Sequence, residues 1–560
     1  MSVRVLLLLM ALASTPAWPQ ERPDEVLLLE NGRFWTADGA RPWTSAVAVR
    51  AARIVALGDS ALAATGPRAR RIDLAGRLVV PGFIDNHTHF AEGSLGLVSL
   101  QLRDARTPEE FVSRLREHAA RLSGDAWVLE GSWDHENWGG ELPTRSWIDS
   151  VSGGHPVFVQ RLDGHMALAN SEALRIARVD RSTPDPEGGT IVRDARGEPT
   201  GIVKDNAMAL VSSKIPAPTA EQLEQAVEAG LAYARSEGVT SVQDMCRPSD
   251  LPVFQRLARD GRLTVRIYCR HFLDHAPELA GLGISAGFGG PWIRLGSVKA
   301  FMDGSLGSST AAFFDPYEGE PENRGLELQP KEELYESLAA ADRAGLQLSV
   351  HAIGDRAVSD LLDIFERIRA ENPPRDRRWR VEHAQHVAPK DFARFADLGA
   401  IASMQPYHAI DDGRWAEKRI GAERAKTTYA FRTLLDEGVR VTFGSDWYVA
   451  PLSPVQGIYA AVTRRTLDGA HPGGWVPEQK ISVEEALTAY TSANAYAAFE
   501  EDDKGRIAPG LLADFAVLER DLFEIPPEEI RDVRVAMTIL GGRVVYEREG
   551  GGVDAAPPPP

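Results

Sequence analysis

The chain has 560 residues, 43% hydrophobic and 25% charged, which is enough apolar material for a large core and more than one structural unit. That composition excludes a fibre or a chain without a core. A formal net charge of −18 leaves no basic face to neutralise phosphates, so nucleic acid is excluded and a small-molecule partner is expected.

Segment 1–20 reads as a secretory signal peptide. Arg4 precedes an apolar run from Val5 to Ala13 that is too short to span a bilayer, and the small residues up to Ala17 predict cleavage there. No cysteine near that point can take a lipid and no later run is long enough for a span. The expected mature protein is therefore periplasmic or secreted, without stable membrane insertion; an uncleaved anchor is the alternative.

Between 24 and 82, the runs Val26–Arg33 and Ala46–Gly58 read as strands separated by turn residues. Val79–His89 is an apolar run that ends in His87-Thr88-His89. Side chains of a strand alternate faces, so both imidazoles point the same way and can hold one metal ion, although two exposed loop histidines have the same spacing. The segment from about 100 to 206 is too long for a simple βα connection and is expected to form an inserted cap over the site.

Thr219-Ala220-Glu221-Gln222 is a capping box. It opens a helix with apolar Leu223, Val227, Leu231 and Ala234, a stop at Gly238, and then the strand Val239–Asp244. The same order leads to strands at Leu346–His351, Ala400–Gln405 and Val439–Asp446. Repeated parallel βα units predict an α/β fold, a (β/α)8 TIM barrel over 83–500, with a doubly wound open sheet as the alternative.

The strands of this series end in chemically capable groups: His87 and His89, Lys299, His351, His383 and Asp446. Strand ends of a barrel share one face, so the six converge, whereas any one alone is more often structural. Imidazole and carboxylate donors without thiolate suit a divalent ion, Zn²⁺ first, then Fe²⁺, Mn²⁺ or Co²⁺. Cys246 and Cys269 have no ligand spacing and read as free buried thiols. Asp514–Leu518 and Ala536–Tyr546 add strands within 505–548, and 549–560 reads as a disordered tail.

His87, His89, Lys299, His351, His383 and Asp446, in that order, resemble the metal-dependent amidohydrolase superfamily. Val298–Ser308, Ser349–Asp355, Val381–Gln385 and Phe443–Trp447 are similar to its YtcJ-like, amidohydrolase-3 branch, which includes N-substituted formamide deformylases. The resemblance runs from about Val26 to about Glu547. It implies a small β-sandwich built from both chain ends, 24–82 and 505–548, beside the barrel. By analogy His87, His89 and Asp446 hold one ion and His351 and His383 a second, bridged by Lys299 carbamylated by CO₂; an unmodified Lys299 in a one-ion site, or as a salt-bridged core residue, is the alternative.

The implied activity is hydrolysis of a non-peptide C–N amide bond by a metal-activated water, with Asp446 as general base. Arg161–Asn170 matches a family pattern in the insertion, so Asp163 is an expected substrate contact and His165 an oxyanion donor, or else a structural His–Asp pair. Trp133, with His135 and Trp138, Trp447, and Tyr407 with His408 are the other expected pocket residues; packed surface and solvated loop are the alternatives. Ser309 stands where an arginine is common in the branch, which removes a charge for an anionic substrate group. The same site serves cyclic amides or esters, and an exported binding protein without catalysis is the reading from another class. Association into a homodimer is left open.

Overall fold

Strands that come after a helix and its stop glycine return in the direction of the strand before, and so pair in parallel. The computed structural model describes residues 26–66, 69–122, 124 and 126–548, and eight such strands form one sheet in it. In chain order they are Phe83–Thr88, Val239–Met245, Arg266–Phe272, Ile293–Phe301, Gln347–Ala352, Arg380–His383, Ile401–Met404 and Val441–Phe443, each parallel to the next. The expected signal peptide at 1–20 and tail at 549–560 lie outside the described residues. Among the described residues no helix is long and apolar enough to cross a membrane.

The eighth strand is short, and the residues after it close the sheet onto the first. The Asp446 amide donates to the His87 carbonyl and the His89 amide to the Trp447 carbonyl, both at 2.7 Å. Asn494 clamps the same seam, its Nδ2 donating to the carbonyls of Ile84 at 2.5 Å and Phe443 at 2.7 Å. The sheet is thus a (β/α)8 barrel and not the open alternative. The strand expected to reach Asp446 ends at Phe443 because Gly444 passes flat against the first strand: a Cβ there falls 2.6 Å from the His87 nitrogen.

The helix Ala220–Ser236 opens on the expected capping box, with Thr219 and Gln222 exchanging both hydrogen bonds, and buries Leu223, Val227, Leu231 and Ala234 against the barrel. Two smaller sheets, of four and six strands, lie beside it; the larger interleaves Leu78–Pro81 with Phe515–Leu518 and Val535–Leu540. Leu27, Leu29, Val47 and Val49 share one apolar core with Val79, Phe515, Val517 and Ile539, so both chain ends build this unit.

Leu100 to Asp205 contribute a six-stranded mixed sheet with an apolar core on each face. Trp133, Val159 and Met166 belong to one core, and Phe158, Ala167 and Val203 to the other. Cys246 and Cys269 are joined in a disulfide, which corrects the expectation of free thiols. Cys246 directly follows the strand Val239–Met245, and Cys269 lies in the middle of its parallel neighbour Arg266–Phe272, where it is paired with Asp244; their Cα atoms are 5.2 Å apart.

Replacing Asn494 with alanine removes both of these buried hydrogen bonds, so it is expected to cost about 2–4 kcal/mol. Urea unfolding of parent and variant measures this, and an unchanged midpoint contradicts the role given to the clamp.

Candidate metal centre and active-site cleft

His87 sits near the end of the first strand with its orientation fixed from below. Its Nδ1 lies 2.5 Å from Glu382 Oε2, and Glu382 is held in turn by Arg270 at 2.8 Å, Arg380 at 2.7 Å and the Ser403 hydroxyl at 2.7 Å. All of these side chains are buried. The ring is thereby turned so that Nε2 faces Asp446 Oδ1 at 3.4 Å and Lys299 Nζ at 3.3 Å. A carboxylate that anchors the far nitrogen of a histidine in this way is the usual support of a metal ligand. Glu382 is not among the residues expected from the sequence, although it stands next to His383 in the strand Arg380–His383.

The other expected groups reach the same place. His89 directs Nε2 to Asp446 Oδ1 at 3.4 Å while its Nδ1 meets Glu92 at 3.2 Å. His383 is oriented by Gln405 at 2.8 Å, and its ring centroid lies 4.9 Å from that of His87 and 4.5 Å from that of His351. His351 gives Nε2 to the Gly304 carbonyl at 2.9 Å. One donor atom each of His87, His383 and Asp446 lies within 4.8 Å of the other two. This grouping crosses the division into two ligand sets that the resemblance implies. His383 and Asp446 have φ of 73° and 57°, a left-handed backbone uncommon outside glycine, so their placement stores local strain.

Electrostatics prepares His87 and His383 as ligands, whereas at His89 burial is outweighed by Asp446 and Glu92, which raise its pKa to about 9. Burial, aided by Lys299, holds His87 well below the ordinary imidazole value, and burial takes His383 down to about 3, so both rings are uncharged near neutral pH, with Nδ1 of each facing an acceptor, Glu382 or Gln405, and Nε2 left to act as donor atom to a metal. Burial also lowers Lys299 to about 7, despite the attraction of Glu382. Asp446 stays well below the carboxylate range, because His87, His89 and His383 outweigh its burial. Its Oδ1 is buried and accepts no hydrogen bond. An orphaned carboxylate oxygen beside imidazole nitrogens at 3.4 Å is a donor set that fits a divalent cation.

Above this floor is a cleft of about 520 Å³, lined by both barrel and insertion. His165 lines it, with Nδ1 at 2.7 Å from Asp205 and its ring centroid 5.1 Å from that of His351. Burial disfavours its protonated form, but Asp205 more than compensates and raises its pKa. Asp163 lines the cleft too, paired with Arg161 at 2.8 Å and accepting from the Ser305 hydroxyl at 2.5 Å.

The aromatic residues are placed differently from expectation. Trp133 is fully buried inside the inserted sheet, donating to the Val159 carbonyl at 2.8 Å, and does not line the cleft. Nor does Trp447, which packs between the rings of Phe90 at 5.4 Å and Tyr233 at 5.6 Å. Tyr407 borders a neighbouring depression, while His408 reaches the cleft. Tyr448, adjacent to Trp447 and not expected from the sequence, lines the cleft beside His89. The arginine absent at Ser309 returns from elsewhere: Arg419 donates to the Ser309 hydroxyl at 2.9 Å, but its other arm is bound to Glu136 at 3.0 Å.

The family model described as "Amidohydrolase family" matches residues 70–546. The chain belongs to the amidohydrolase family. It is 38% identical to Protein LONG AFTER FAR-RED 3 of Arabidopsis thaliana, covering 93% of this chain and 91% of that one. It is 30% identical to the putative amidohydrolase YtcJ of Bacillus subtilis (86% and 91% covered) and 29% identical to the N-substituted formamide deformylase of Arthrobacter pascens (94% and 99% covered). Among solved structures, an uncharacterized metal-dependent hydrolase from Pyrococcus horikoshii aligns with a TM-score of 0.73 at 27% identity, over 90% of this chain and 99% of that one. These similarities bear out the expected YtcJ-like branch and make this amidohydrolase a hydrolase with a divalent-metal site.

Glu382→Gln weakens the anchor of His87 and is expected to lower metal affinity by about 10–100-fold. Competition with a chromophoric chelator measures this, and unchanged affinity contradicts the support assigned to Glu382.

Proposed function

We propose that this amidohydrolase cleaves the C–N bond of a small N-acyl amine, giving a carboxylate and an amine. The observation that carries the reading is the buried, unpartnered Oδ1 of Asp446 among imidazole nitrogens at the floor of the cleft. The relative named N-substituted formamide deformylase makes formamides the first substrates to try. His87, His89, His351, His383 and Asp446 are assigned to hold one or two divalent ions, Zn²⁺ first. A carbamylated Lys299 would add a bridging carboxylate, and the lowered pKa of this lysine supports reaction of its neutral amine with CO₂. The metal supplies Lewis acidity, polarising the acyl oxygen and making water nucleophilic near neutral pH.

In this reading Asp446 takes one proton from the water as its oxygen bonds to the acyl carbon, and delivers that proton to the nitrogen as the C–N bond breaks. His165, whose protonated form Asp205 favours, is assigned to donate a hydrogen bond to the acyl oxygen as negative charge grows there. The inserted sheet, which contributes Gln160 to His165 to the cleft, limits water around the reacting atoms. We place the mature protein outside the cytoplasm, a reading that the Cys246–Cys269 disulfide supports.

A panel of N-formyl and N-acetyl amines tests the proposal. The metal-loaded parent is expected to hydrolyse members of it. Asp446→Asn should lose about 10²–10⁴-fold in rate, and His165→Ala about 10²–10³-fold in kcat with little change in KM. No turnover by the loaded parent, or full activity in Asp446→Asn, sinks the mechanism.

A further inference from the structure

One carboxylate in the cleft differs from the rest. Seven line it, and six have a charged partner or belong to the donor set. Glu92 pairs with Arg247, Asp134 and Asp163 with Arg161 at 3.2 and 2.8 Å, Asp205 with His165, and Asp411 with Arg414, while Asp446 faces the imidazoles. Asp412, the last residue of the helix Pro406–Asp412, has only neutral donors. Its Oδ2 accepts from the Tyr429 hydroxyl at 2.6 Å and from Gln385 Nε2 at 3.0 Å. Among the described residues its Oδ1 takes no hydrogen bond and no cation pairs with it.

Two donors on one oxygen fix the carboxylate plane and leave the other oxygen for a ligand that enters the cleft. Gln385 lies two residues beyond His383, so this corner adjoins the donor set. Burial pushes Asp412 up to about 7; the Tyr429 bond opposes that, Asp411 adds to it, and the charges of Arg161 and Arg414 do not restore the ordinary value. Arg161, which also lines the cleft, is already engaged by two carboxylates.

We propose that Asp412, steadied by Tyr429 and Gln385, is a specificity residue that receives a positively charged group, an ammonium or guanidinium, carried by the substrate beyond its scissile amide. An ion pair with a half-buried carboxylate gains more than one formed at an exposed surface. In naming the ligand as an amide this rests on the hydrolase reading, but binding can be measured apart from turnover.

The test is calorimetric titration at about pH 8, where the carboxylate is ionised. The protein carries Asp446→Asn so that ligands are not consumed. The probes are N-acetyl-1,4-diaminobutane, with shorter and longer spacers, and the matching uncharged N-alkylacetamides. The cationic member of at least one pair is expected to bind about tenfold tighter or more. Adding Asp412→Asn should remove that preference and leave the neutral amide's affinity unchanged, which also reports an intact cleft. Equal binding in every pair, or a preference that survives Asp412→Asn, overturns the assignment. Absence of turnover by the unmutated protein counts against the hydrolase reading alone.

Discussion

The hydrogen bond from the Asp446 amide to the His87 carbonyl, 2.7 Å long, is where the barrel closes and where the site begins. The last strand is only three residues long, so the seam relies on the residues just beyond Phe443. Because the closing residue is itself Asp446, the step that completes the sheet sets a carboxylate against the imidazoles of the first strand. Gly444 permits the approach and Asn494 locks it from behind. Displacing that seam moves a donor atom, so fold and chemistry are coupled at this point.

Beneath the donors is a charged layer that a stability argument alone does not explain. Glu382, Arg270 and Arg380 are fully buried in the barrel interior, and burial takes Arg380 down to about 10. Burying three charges forfeits several kcal/mol of hydration per ion, and well-packed apolar residues often do as well or better. What the network does provide is orientation. Glu382 receives hydrogen bonds from Arg270, from Arg380 Nη2 and from Ser403 and passes that constraint to His87 through a single contact.

Much of this architecture is legible in the sequence, and for a definite reason. Glycine stops before β-rich runs carry direction as well as element type, and polar groups at or near the ends of five of the eight barrel strands carry the site. Arg380 and Glu382 carry a further signal, beyond the strand-end groups: charges two residues apart in one strand point to the same face, and with Arg270 they form an inward-facing polar layer. Other features depend on tertiary contact. Trp133 and Trp447 look like pocket residues until the rings of their neighbours bury them. The Cys246–Cys269 bond arises from strand register, which spacing does not reveal. Asp412, Gln385 and Tyr429 come from three separate elements and meet only in the folded chain.

The central claim is that these strand ends form one metal centre. Metal content by plasma mass spectrometry on purified protein, parent beside a His87→Ala/His383→Ala double variant, tests it most directly. At least about one divalent ion per chain in the parent, lost in the variant while the fold persists by circular dichroism, is the predicted result. A parent that binds no divalent ion when supplied with one, or a variant that retains the full complement, contradicts the account.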